Sequence, residues 1–128
     1  MIEYVFDHLH FKCSDLDAMV KFLVDNFGGA EAYRRTSASG LTAVVKLAGQ
    51  SLLISEKGPN DLIAIDSSVR RFGLDHWGLL VKDLDAAYED LKAKGVQFSM
   101  PPASSPTGVK YTFAIGPDNS QIELVQRG

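Results

Sequence analysis

Residues 75–85 read Asp75-His76-Trp77-Gly78-Leu79-Leu80-Val81-Lys82-Asp83-Leu84-Asp85, and residues 7–17 read Asp7-His8-Leu9-His10-Phe11-Lys12-Cys13-Ser14-Asp15-Leu16-Asp17. The Asp-His pair, the Asp-Leu-Asp that follows it, and the next alanine, Ala18 and Ala86, recur sixty-eight positions apart. Self-similarity at this spacing marks a chain built from two diverged copies of one supersecondary unit. Each copy keeps a histidine at the same point, so chemistry is sought there first.

The surrounding sequence repeats the same order of elements. Tyr4 to Cys13 alternates apolar and polar positions and predicts a strand. Ser14 or Asp15 offers an N-cap. Leu16, Met19, Val20, Leu23 and Phe27 follow at helical spacing, and Gly28-Gly29 ends the helix. Strands are predicted over 30–37, 41–48 and 51–56, with Ser39-Gly40 and Gly49-Gln50 as turns. In the second copy Phe72 to Val81 is a strand, and Asp83 caps a helix carrying Leu84, Ala87, Tyr88 and Leu91 that ends at Gly95. Strands near 96–100, 109–115 and 120–126 complete it. The expectation is an α+β domain of two tandem βαβββ modules, 1–57 and 72–128, joined by a linker over 58–71. The two modules form a curved mixed sheet around a concave cleft, with the helices on the outer face.

Composition narrows the class of function. The chain has 128 residues, enough for one domain with a real core, and its net charge of −3 offers no basic footprint for nucleic acid. No apolar run reaches the roughly 18–20 residues of a membrane span. The first residues, MIEYVFDHLHF, read as a strand rather than a leader peptide, and the single cysteine, Cys13, permits no intrachain disulfide. A reduced, cytoplasmic setting is expected.

Alternation assigns the faces of these strands. If Leu9, Phe11 and Cys13 pack on the first helix, His8, His10 and Lys12 point the other way. Trp77, Leu79 and Val81 take the helix side in the second copy and leave His76, Gly78 and Leu80 on the open face. In the last strand Ile122 and Leu124 face inward, so Gln121, Glu123 and Val125 are open. His8, His76 and Glu123 can then converge. Two imidazoles and a carboxylate form a mixed N/O set suited to Zn²⁺, Fe²⁺, Mn²⁺ or Ni²⁺.

The duplicated βαβββ order, the strand-to-helix entries "DHLHF" and "DHWGLLVKDLDAA", and the closing "GPDNSQIELVQ" resemble the vicinal oxygen chelate superfamily of glyoxalases, bleomycin resistance proteins and extradiol dioxygenases. The resemblance spans essentially the whole chain. It implies the same three metal ligands, His8, His76 and Glu123, and one divalent ion per site. It also implies a small-molecule substrate that chelates the ion through two neighbouring oxygens, and a homodimer with sites at or near the interface. Relatives with a fourth ligand take it from the last strand of the first module. Here that position falls on Leu53 or Ile54, neither able to ligate, with Glu56 at the strand end as the only substitute. The site is therefore expected to be three-ligand.

Around it, His10 is the candidate catalytic acid/base. Lys12, Arg34 (from the Arg34-Arg35 pair) and Tyr111 are candidates for substrate binding, the cations for an anionic group and Tyr111 for an apolar one. The leading expectation is a metal-dependent, glyoxalase-like lyase or isomerase, or a related transferase. A metal-free protein that sequesters an antibiotic-type ligand is the alternative, and an Fe²⁺ extradiol-type dioxygenase a further one.

Overall fold

The computed structural model describes residues 1–38, 40–61 and 73–128. The chain divides into two compact units, Met1–Ile63 and Ala64–Gly128.

In the first unit the order is β1 (His8–Cys13), α1 (Leu16–Phe27), β2 (Ala30–Ser37), β3 (Gly40–Leu47) and β4 (Gln50–Glu56). The sheet runs β1-β4-β3-β2, with β1 parallel to β4 and the other pairs antiparallel. Asp15 caps α1 by accepting from the Ala18 N–H, and Gly28 closes it in the left-handed conformation at φ 71°. Leu16, Met19, Val20 and Leu23 lie on one face of the helix and are buried, as are Ala43, Val45, Leu52 and Ile54 of the sheet. These residues form the core of the unit.

The second unit repeats the plan with β5 (Trp77–Leu80), α2 (Leu84–Ala93), β6 (Gln97–Phe98), β7 (Ala103–Ser104), β8 (Lys110–Ile115) and β9 (Gln121–Gln126). Its sheet runs β5-β9-β8-β6, again with the first strand parallel to the last, and β7 pairs with β8. Asp83 caps α2 through the Ala86 N–H. Leu84, Leu91, Ala114, Ile122 and Leu124 are its buried apolar centre.

The α+β class and the two βαβββ runs are as expected, apart from one added short strand in the second, but β1, β5 and β6 (two residues, against an expected 96–100) are shorter than expected. The strand predicted from Tyr4 begins only at His8, because β1 pairs solely with β4 and His8 already stands opposite Ser51, next to the β3–β4 turn. Among the described residues, those before it pair with no strand. For the same reason β5 begins at Trp77, opposite Ile122 near the start of β9, and the described residues 73–76 ahead of it are not strand. Between the strands expected near 96–100 and 109–115, the Pro-rich residues 101–108 contribute the short strand β7. Of the expected linker, residues 58–61 are described; the rest, with the apolar run Leu62 to Ile65 and the start of the strand at Phe72, lies outside the described residues.

Candidate metal-binding face

β9 lies between β5 and β8, and Glu123 stands opposite Gly78 on one side and Phe113 on the other. The alternation holds through Leu124, with Ile122 and Leu124 buried on the helix side and Glu123 on the opposite face, whereas Val125, expected to be open, is buried. His76, immediately before β5, falls on that face too. Its Nε2 lies 3.0 Å from Glu123 Oε2, and its Nδ1 lies 2.7 Å from Asp75 Oδ2. A Cβ at Gly78 would make only ordinary contact with Glu123, 3.7 Å from Oε2, so the glycine leaves the flank of the carboxylate open.

Phe113 meets the His76 ring edge-to-face with centroids 4.9 Å apart, and Tyr111 lies 6.3 Å beyond Phe113. An imidazole, a carboxylate and two aromatic rings thus share one face of the second unit. The side chains of His76 and Glu123 keep 30% and 25% of their surface accessible, so both reach solvent. Asp75, above all, and then Glu123 raise the His76 imidazole above its ordinary pKa, against the lowering effect of partial burial.

In the first unit His8, His10 and Lys12 are exposed on one side of β1, while Leu9, Phe11 and Cys13 turn toward the helix. His8 repeats the pattern of His76: its Nδ1 lies 2.6 Å from Asp7 Oδ2. His10 Nε2 lies 2.7 Å from Ser55 Oγ, which lies 2.8 Å from Thr42 Oγ1. Thr42 donates to the Gly40 carbonyl oxygen at 3.1 Å. His10, Ser55 and Thr42 are thus joined in one run of side-chain hydrogen bonds. Lys12 donates to Asp61 at 2.6 Å.

Two candidate residues lie away from that face. Arg34 does not share the face of His10. A β-bulge between Glu31 and Tyr33 shifts the register of β2, so that Arg34 turns to the helix side. There it pairs with Glu31 and with Asp17 of α1. Tyr33 and Arg35 take the open face, opposite Val44 and Thr42. Glu56 does not act as a substitute ligand on that face either: its Oε1 accepts the Leu16 N–H at the start of α1. Of the two positions proposed opposite Glu123, register selects Leu53, because it stands beside His10 as Glu123 stands beside Gly78. Ile54 is wholly buried.

Sequence reasoning missed the part played by Asp7 and Asp75, although both stood in the repeated motif, and by Ser55 and Thr42, for which no sequence signal existed. Within each unit, among the described residues, no three His, Cys, Asp or Glu side chains gather into a ready-made metal group. No helix among them is long and apolar enough to cross a membrane.

The family model of the Glyoxalase/Bleomycin resistance protein/Dioxygenase superfamily matches residues 5–124. The chain belongs to this superfamily. Solved structures agree on the fold of the superfamily member. A glyoxalase family protein from Enterococcus faecalis superposes with a TM-score of 0.82 at 23% identity, over 94% of this chain and 96% of that one. A domain of the superfamily from Frankia gives 0.80 at 24% identity, over 99% and 94% of the two chains. The genomically encoded fosfomycin resistance protein FosX from Listeria monocytogenes, in complex with Mn(II) and sulfate, gives 0.72 at 20% identity, over 99% and 95%. No curated protein matches the chain.

Proposed function

We propose that this superfamily member is a divalent-metal enzyme in which His76 and Glu123, together with His8, hold the ion. The observation that carries the reading is the His76 Nε2–Glu123 Oε2 pair, 3.0 Å apart on a solvent-reached face. One imidazole nitrogen and one carboxylate oxygen, each presented by a strand, suit a borderline divalent cation such as Zn²⁺, Mn²⁺, Ni²⁺ or Fe²⁺. When bound, the ion supplies a Lewis acid that two neighbouring oxygens of a small molecule chelate and that stabilises negative charge developing on them.

The chain's own residues supply the rest. His10, held at Nε2 by Ser55, is assigned to proton transfer at Nδ1. Tyr111 and Phe113 pack the apolar part of the substrate beside His76 and Glu123. Lys12, paired with Asp61, contributes positive charge on the face of His10. The reaction is a glyoxalase-like lyase or isomerase step, or a related group transfer. The working particle is a homodimer, a reading supported by the exposed apolar side chains of Ile2, Tyr4, Val5 and Phe6.

A metal-free, ligand-sequestering protein is the second reading, favoured by apolar Leu53 at the station where the other unit carries Glu123. Metal analysis of protein purified without a chelating tag separates the two. About one divalent ion per chain, lost in both His76→Ala and Glu123→Ala, is expected for a three-ligand site that keeps positions open for substrate. A site that stays empty when Zn²⁺, Mn²⁺, Ni²⁺ or anaerobic Fe²⁺ is supplied overturns the enzyme reading.

A further inference from the structure

The same hydrogen bond occurs once in each unit. Asp7 Oδ2 and His8 Nδ1 are 2.6 Å apart, and Asp75 Oδ2 and His76 Nδ1 are 2.7 Å apart. Adjacent residues of an extended strand send their side chains to opposite faces. Each aspartate nevertheless bonds the next ring, at a strand entrance where the chain has not yet settled into the ladder: His8 is the first residue of β1, and His76 precedes β5. The two carboxylates are 91% and 85% exposed, with water as a ready alternative partner, yet both bond the histidine. Two units with separate sheets have arrived at one geometry at positions sixty-eight residues apart.

We propose that Asp7 and Asp75 are positioning residues that hold His8 and His76 with Nδ1 as the donor and Nε2 as the metal-ligating nitrogen. The inference rests on the metal reading above and adds to it which ring atom ligates and what orients it. A carboxylate that accepts the Nδ1–H fixes the tautomer, stops rotation of the ring about its Cβ–Cγ bond, and makes Nε2 a stronger donor to a cation. In the second unit the geometry already points that way, since Nε2 is the nitrogen that faces Glu123.

The test is Zn²⁺ affinity by competition with a chromophoric chelator, for the wild type and for Asp7→Ala, Asp75→Ala, Asp7→Asn and Asp75→Asn. Each alanine variant is expected to lose about 10–100-fold in affinity. The asparagine variants should recover part of the loss, because the amide oxygen still accepts the Nδ1–H but carries no charge. Being nearly isosteric, they also keep the test valid if an alanine variant folds poorly. Glu89→Gln removes an exposed negative charge from α2 and serves as the control, expected to stay within about twofold, the scale of a screened surface charge. In ¹¹³Cd-loaded, ¹⁵N-labelled wild type, coupling should appear at Nε2 of both rings.

Unchanged affinity in all four aspartate variants, or coupling at Nδ1, overturns the assignment while leaving the metal reading standing. A wild type that binds none of Zn²⁺, Mn²⁺, Ni²⁺ or Fe²⁺ overturns both.

Discussion

Glu56 and Gln126 perform the same task in the two units. Each ends the last strand of its module, and each accepts the N–H of the first helical residue: Leu16 to Glu56 Oε1 at 3.4 Å, Leu84 to Gln126 Oε1 at 2.8 Å. The first N–H groups of a helix have no partner within it, so these side chains satisfy donors that otherwise depend on water. Gln126→Ala is expected to cost about 1 kcal/mol of stability, the net worth of one such bond. Glu56→Ala should cost less, because its bond is longer, although its charge also favours the positive end of α1. Urea unfolding of the two variants, read side by side, checks the order.

The turn between β3 and β4 holds two residues, Ala48 and Gly49, both with positive φ, at 50° and 78°. Hairpin turns of this kind favour Asn-Gly, since asparagine tolerates the left-handed region better than alanine. Ala48→Asn should therefore stabilise the protein, by about 0.5–1 kcal/mol. A rise in the midpoint of thermal unfolding is the expected readout. An unchanged or lower midpoint would show that the turn is not under strain.

Ser55 is fully buried and joins His10 to Thr42. Ser55→Ala removes the bond to each neighbour, and the expected cost is about 1 kcal/mol for each bond lost. A double-mutant cycle with Thr42→Val should show the two changes to be strongly non-additive, since both break one chain of bonds. Additive losses would mean that the hydroxyls act separately.

The Lys12 ammonium and the Gly58 N–H, in that order, hold the Asp61 carboxyl below its ordinary pKa. A group whose pKa is lower in the folded state stabilises above its unfolded value, and that contribution is lost as pH falls through the folded one. Carbon-detected NMR titration of Asp61 should give a midpoint below the usual value of about 3.9. In Lys12→Met the midpoint should move upward. No movement would place Lys12 elsewhere in solution, available to a ligand.

Much of this molecule was legible in its sequence because alternation and helical spacing are local. The strand-helix order and the open-side positions of His8, His10 and Glu123 follow from periods of two and 3.6, and the cap at Asp83 from its residue type, while the choice between Ser14 and Asp15 was settled only by the Asp15 bond to Ala18. What was not legible depended on partners. The late start of β1 at His8 reflects where β4 begins. Which of Arg34 and Arg35 faces the helix depends on one extra residue that bulges out of β2, and nothing in Glu31-Ala32-Tyr33 announces that. Leu53 and Ile54 could not be separated until the register of β4 against β1 was known. The Ser55–Thr42 bond joins residues thirteen positions apart on different strands and has no sequence signature.

The aspartate–histidine bonds differ from every other contact on these faces in joining neighbours in the chain. Contacts such as His76–Glu123 require two distant segments to be assembled correctly. Asp75–His76 requires only its own dipeptide at the mouth of a strand. A gene duplication, a circular permutation or an exchange of units between two chains therefore carries each oriented imidazole along intact. Among the positions that differ between the copies are the partners across the ladder, glutamate beside Gly78 in one unit and leucine beside His10 in the other, so each unit specialised its own sheet without rebuilding its histidine.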